Sequence, residues 1–165
     1  MRSGGIKESQ FLSSSFYKET HFSLGHSPHQ ARFGGAGYWS PVGGSASIDS
    51  GQFLQIAFKT PMQLKMIVVQ GKPNSTEHVR TFDALTSTNG DVWRKEKALL
   101  PKASINVKSG DSAVPTVYQS LSATRFLRIQ PRSWYKESTL RIEVYGCLLS
   151  AAQTQGLVLG FSNKS

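Results

Sequence analysis

Thr139-Leu140-Arg141-Ile142-Glu143-Val144-Tyr145 places apolar side chains at Leu140, Ile142 and Val144 and charged ones at Arg141 and Glu143. Successive side chains of an extended chain point to opposite faces, so this alternation predicts a β-strand with one face turned to a core. Helical geometry would put Ile142 on the far side from Leu140 and Val144, and no apolar stripe would form. Working outward, further strands are predicted at residues 52–58, 64–69, 81–87 and 125–130, each holding aliphatic or aromatic side chains and most bounded by turn formers. Asn89-Gly90 is the dipeptide most tolerant of positive φ, so it is expected to close a hairpin that points Trp93 back toward the core. Residues 94–103 have helical composition, but Pro101 interrupts them and no stripe recurs at helical spacing, so no helix beyond two turns is expected there. Spaced strands with polar turns describe an all-β chain, an antiparallel sandwich or barrel.

The chain has 165 residues, enough for one globular domain, or one domain with a tail. Its 38% hydrophobic and 10% aromatic content excludes a wholly disordered chain, and its apolar runs are too broken to span a bilayer. Nineteen Lys and Arg against ten Asp and Glu leave a net charge of +9, which attracts phospholipid headgroups, sulfated glycans or nucleic acid without choosing among them. Cys147 is the only cysteine, which excludes an internal disulfide framework and a metal site built from several thiolates. Met1-Arg2-Ser3-Gly4-Gly5-Ile6-Lys7 lacks the apolar stretch of a secretion signal, so the chain is expected to be either intracellular or a fragment of something longer.

Residues 12–50 are crowded with Gly, Ser and His, yet hold Phe16, Tyr17, Phe22, Phe33, Tyr38 and Trp39. So many rings do not suit a linker; long ordered loops at one end of the sandwich, stapled by buried aromatics, are expected instead. His21, His26 and His29 share one loop with only Glu19 as a nearby acidic ligand, so the expectation is histidines that gain charge in acid and no metal site. Gly34-Gly35-Ala36-Gly37 is followed by Tyr38-Trp39-Ser40-Pro41 and no helix, which removes the phosphate-cradle reading, and no cofactor is implied. No Ser, His, acid order with an elbow and no paired carboxylates stand out, so no catalytic residues and no enzyme activity are expected. Arg128 and Arg141 lie in predicted strands, the second beside Glu143, and a structural ion pair is expected ahead of a binding role. Trp39, Trp93 and Trp134 are expected as core or loop anchors.

Several segments, in order, resemble the discoidin domain, also called the coagulation factor five/eight type C domain. Phe11-Leu12-Ser13-Ser14-Ser15-Phe16 is similar to the family's ITASS step, and Ala31-Arg32-Phe33 with Tyr38-Trp39 to its ARLN and AW steps. Phe53-Leu54-Gln55-Ile56-Ala57-Phe58 resembles WLQVDL, and Ile67-Val68-Val69-Gln70-Gly71 resembles ITTQG. Ser87-Thr88-Asn89-Gly90-Asp91-Val92-Trp93 looks like YSNDGxxW, while 123–131 with Trp134 and 140–147 look like ARYVRIxPxxW and LRLELYGC. The likeness runs over residues 3–147, leaving 148–165 as a tail of unassigned structure. It implies a discoidin-type antiparallel β-sandwich, or distorted jelly-roll barrel, with long loops at one end. It also implies that a cysteine near the start of the domain bonds to the one at its end; Cys147 fills the second place, and Met1-Arg2 stand where the first is looked for. Closing a loop of that size would contribute about 5 kcal/mol in the chain-entropy view, so its loss lowers stability without erasing the fold.

The resemblance further implies a non-catalytic binding module whose loop spikes grip a ligand. The spikes map to residues 16–29, the neighbourhood of 32–38, and 71–80. Phe22 and Leu24 near the first apex, with Lys18 on its flank, suit a membrane interface, where apolar tips enter the acyl boundary and cations hold anionic lipid. The alternative, that Phe22 and Leu24 fold under the loop to cap the barrel, stays open. Lys18, Phe22, Leu24, Arg32, Lys72 and Arg80 are the expected contacts with an anionic phospholipid surface; Tyr38 and His78 are the expected side-chain platform if the partner is a cell-surface glycan or protein. Asn74-Ser75-Thr76 is also a glycosylation sequon. An extracellular or cell-surface location within a larger multidomain protein follows from the family, as does the third reading, a structural accessory domain with no ligand of its own. Nucleic acid is not an expected partner, since only charge supports it.

Overall fold

The computed structural model describes residues 6–18, 26–43, 51–99, 109–118 and 122–149. His21, Phe22 and Leu24 of the first spike, and residues 150–165 of the tail, lie outside the described residues. Within them run seven strands: β1 (Phe11–Ser13), β2 (Leu54–Gln70), β3 (His78–Ser87), β4 (Arg94–Lys95), β5 (Val114–Val117), β6 (Thr124–Tyr135) and β7 (Arg141–Leu148). Every strand pairing is antiparallel, and short 3-10 turns at Glu8–Gln10 and Pro28–Gln30 are the only helical elements among the described residues.

The predicted strands at 52–58 and 64–69 are one strand. The chain passes through Lys59-Thr60-Pro61 extended, and its pairing with β6 becomes irregular between Ala57 and Met62. Proline is tolerated at such an irregularity because no ladder hydrogen bond is asked of it. The kink lets β2 serve two partner sets. Its first part pairs with β1 and β6, and its last part with β5 and β7. The core fills the space between, with Leu54, Ile56, Leu127, Ile129 and Phe82 from one set and Leu64, Ile67, Val69 and Ile142 from the other in one buried cluster.

The strand predicted at 139–145 begins two residues later, because Leu140 is taken up in an antiparallel bridge with Trp39. Leu140 and Ile142 are fully buried as the alternation requires. The other face is buried as well: Arg141 and Glu143 are each only 2% exposed. The hairpin at Asn89-Gly90 forms between β3 and β4, with Gly90 at φ +90° and the Asn89 Oδ1 accepting from the backbone N–H groups of Asp91 and Val92. Trp93, however, does not enter the core. It is half-buried on the outer sheet face, donating Nε1–H to the Gly90 carbonyl and covering the Arg128 guanidinium at 3.8 Å.

Candidate ligand-binding pole

Arg141 leaves the start of β7 and reaches three loops at once. Its guanidinium donates to the carbonyls of Gly35 (2.9 Å), Gly71 (2.8 Å) and Gly110 (3.2 Å) and to the Asp111 carboxylate (2.6 Å). The planar fork of arginine suits several fixed acceptors, which a point-charge ammonium cannot serve together. The second spike, the third spike and the loop around residues 109–112 are thereby drawn to one end of the sandwich. Glycine is required where they cross: a Cβ on Gly110 would run into the Lys72 backbone, and one on Gly71 into Glu77 and His78. Asp111 accepts from the Asn74 backbone N–H and from Arg141, and these hold its carboxyl below the usual range.

Around this clamp stand two ring clusters. In the first, Lys72 Nζ lies 5.6 Å from the Tyr38 ring centroid and pairs with Glu77 at 2.9 Å. The Tyr38 hydroxyl sits 3.3 Å from His26 Nε2, and the His26 ring lies against Tyr17, which joins the described flanks of the first spike to the second. The hydrogen bond with Glu77 raises the Lys72 pKa above its ordinary value. Burial pushes the Glu77 carboxyl up, but its hydrogen bond and charge contact with Lys72 prevail and leave it lowered. In the second cluster, Tyr135 is 39% exposed and has the His78 ring stacked at 5.8 Å, the Arg80 guanidinium at 5.0 Å and the Lys136 ammonium at 5.7 Å.

The expected contacts are only partly gathered here. Lys72 and Arg80 are at the pole, and Lys18 is exposed on the first spike, 5.6 Å from the Phe16 ring. Arg32 is half-buried and occupied: it donates to the Ile6 carbonyl at 2.8 Å and lies over Phe11. Tyr38 and His78 require a correction, since at 9% and 3% exposure they support the pole from beneath and form no open platform. Tyr135 and Lys136, which the sequence reading passed over, hold the exposed positions. A Tyr-Lys pair at a strand end before a turn was the available signal.

The anchors fall out differently. Trp39 is fully buried and donates Nε1–H to the Ser15 carbonyl at 2.9 Å. Trp134 is half-buried opposite Val79. Arg128 is sandwiched between Phe53 and Trp93 and donates to Gln55 Oε1 at 2.7 Å, and burial lowers its pKa. The acid on Arg141 is Asp111 from a loop. Cys147 is exposed and free on β7, opposite Gln63. Among the described residues no group of three or more His, Cys, Asp or Glu could hold a metal, and no helix is long and apolar enough to cross a membrane.

A carboxylate whose folded pKa is lowered contributes stability above its unfolded value and loses it as pH falls through the folded one. Asp111 and Glu77 start from ordinary values of 3.8 and 4.5, so the thermal midpoint is expected to fall on acidification below them. Asp111→Asn should flatten that fall in thermal melts taken between about pH 5 and pH 2; an unchanged slope would remove Asp111 from the clamp.

The F5/8 type C domain pattern matches residues 11–144. The chain belongs to this family. It is 28% identical over 167 residues to neuropilin-2 of Homo sapiens, a match covering 96% of this chain and 17% of that protein. The non-catalytic subunit of the venom prothrombin activator omicarin-C of Oxyuranus microlepidotus is 30% identical over 155 residues, covering 89% of this chain and 10% of that protein. This F5/8 type C domain therefore spans a small fraction of the curated relatives it matches. Its fold is shared by discoidin II of Dictyostelium discoideum (TM-score 0.61, 20% identity, 86% of this chain and 56% of that one). It is shared too by a carbohydrate-binding module, CBM32-3, from a family 31 glycoside hydrolase of Clostridium perfringens (TM-score 0.61, 14% identity, 88% of this chain and 96% of that one).

Proposed function

We propose that this domain is a non-catalytic, extracellular binding module that recognises anionic phospholipid surfaces through its spike pole, in cell adhesion or membrane recognition. The observation that carries the reading is the gathering of Lys72, Arg80 and Lys136 around the Tyr38 and Tyr135 rings at one end of the molecule. Each cation near an anionic surface contributes about 1 kcal/mol, and an exposed tyrosine is suited to the headgroup layer. The sequence adds the apolar residues Phe22 and Leu24 a few positions after Lys18, outside the described residues. Kinship with a non-catalytic venom subunit, and a length that is a fraction of the relatives, support a binding part of a larger multidomain protein.

Tyr135 also favours a second reading, a cell-surface glycan or protein partner held on the same pole, since an exposed ring flanked by cations serves a sugar face equally well. Co-sedimentation with phosphatidylserine and with phosphatidylcholine vesicles at two salt concentrations separates the two. Binding to the first alone, weakened by salt and reduced about tenfold or more in Arg80→Gln with Lys136→Gln, is the expected result. Retention on a glycan array with no vesicle binding favours the second reading, and silence in both assays leaves a structural accessory domain.

A further inference from the structure

The third spike holds a feature that ligand capture does not use. Within residues 72–77 the backbone is fastened inward: Asn74 N–H donates to Asp111, the Ser75 carbonyl accepts from Gly110 N–H, the Glu77 N–H donates to Ser75 Oγ, and the Thr76 carbonyl contacts His78 Nδ1. Asn74 sits at φ +53°, a left-handed position that asparagine tolerates well. The side chains of Asn74 and Thr76 are left exposed, and neither makes a hydrogen bond among the described residues. Ser75, the residue between them, is not proline, so the tripeptide meets the acceptor requirement for an N-linked oligosaccharide. A sugar on the Asn74 amide would leave every bond of the turn in place and bury no polar group.

We infer that Asn74 is an N-glycosylation site and that its occupancy controls access to the pole, an inference that rests, for its second half, on the anionic-surface reading. In the transfer, the Asn74 amide nitrogen bonds to the first sugar carbon of a lipid-diphosphate-linked oligosaccharide. The bond from that carbon to the diphosphate oxygen breaks, the amide loses one proton, and the lipid diphosphate departs. Lys72 lies two residues away on the same spike, so a branched, hydrated sugar would stand between it and a flat bilayer.

The chain secreted from eukaryotic cells behind a cleavable leader provides the test. Peptide mapping before and after peptide-N-glycosidase treatment is expected to show a glycan on Asn74 that is lost in Asn74→Gln and in Thr76→Ala; mapping also separates it from the terminal sequon at Asn163. An unmodified Asn74 in the secreted protein overturns the inference. The glycosylated form should bind phosphatidylserine vesicles about fivefold or more weakly than unglycosylated Asn74→Gln and Thr76→Ala, which keep residue 74 uncharged, the contribution of at least one surface cation. Equal binding by the glycosylated protein and by Asn74→Gln overturns access control. If no form binds vesicles while Asn74 carries its glycan, the modification stands and the anionic-surface reading, with the control built on it, falls.

Discussion

Replacing Arg141 with alanine is expected to destabilise the domain by about 3–5 kcal/mol, as several hydrogen bonds from a charged group to buried carbonyls are lost together. The Asp111 pair contributes little of this, because its carboxylate is 45% exposed and water screens it. What is lost is the set of donors to Gly35, Gly71 and Gly110, whose carbonyls converge on a side chain that is only 3% exposed. A hydrogen bond from a charged group to a buried acceptor contributes about 1.5–3 kcal/mol, and the orphaned acceptors then carry their desolvation cost. Total stabilities of domains this size are about 5–15 kcal/mol, so the variant should sit near the edge of folding. Arg141→Lys keeps the charge but offers one compact ammonium to acceptors in three loops, and is expected to recover only part of the loss. Urea unfolding followed by tryptophan emission reads both; a loss under about 1 kcal/mol in Arg141→Ala would mean that the three loops hold their places without the clamp.

The strands were legible where one side of the pattern was apolar over several residues, as at Leu140, Ile142 and Val144, because that alternation has one physical reading. The short strands were not. β1, β4 and β5 have two to four residues each, too few for a period to show, and β5 contains Pro115. The strands expected at 52–58 and 64–69 are one, because Pro61 sits where the pairing with β6 is irregular and no ladder donor is needed. At the site, sequence order could name cations and rings but not their depth. Tyr38 and His78 are buried because Lys72, His26 and Tyr135 close over them from other segments, and nothing local in either residue's neighbourhood encodes that. Arg141 posed the same difficulty: its acceptors are mostly backbone carbonyls, which every residue carries, so no residue-type pattern marks them.

Trp39 should be the apolar counterpart of the clamp, and Trp39→Ala is expected to lose about 3–5 kcal/mol as the core loses its largest fully buried side chain. The ring is tied into the pole at two points. Its backbone exchanges hydrogen bonds with Leu140 at 3.0 and 2.9 Å, next to Arg141, and its Nε1–H holds the Ser15 carbonyl where the first spike begins. Trp39→Phe separates the two roles. It keeps most of the buried apolar surface but leaves the Ser15 carbonyl without its donor, at about 1–3 kcal/mol. If the indole N–H positions the first spike, that variant should show faster proteolysis near residues 16–18 and weaker binding to anionic vesicles at temperatures where it is fully folded. Urea unfolding, limited proteolysis and co-sedimentation on the same preparation decide it. A Trp39→Phe protein with wild-type cleavage and binding would confine Trp39 to filling the core, and would place the ordering of the first spike on Tyr17 and His26 instead.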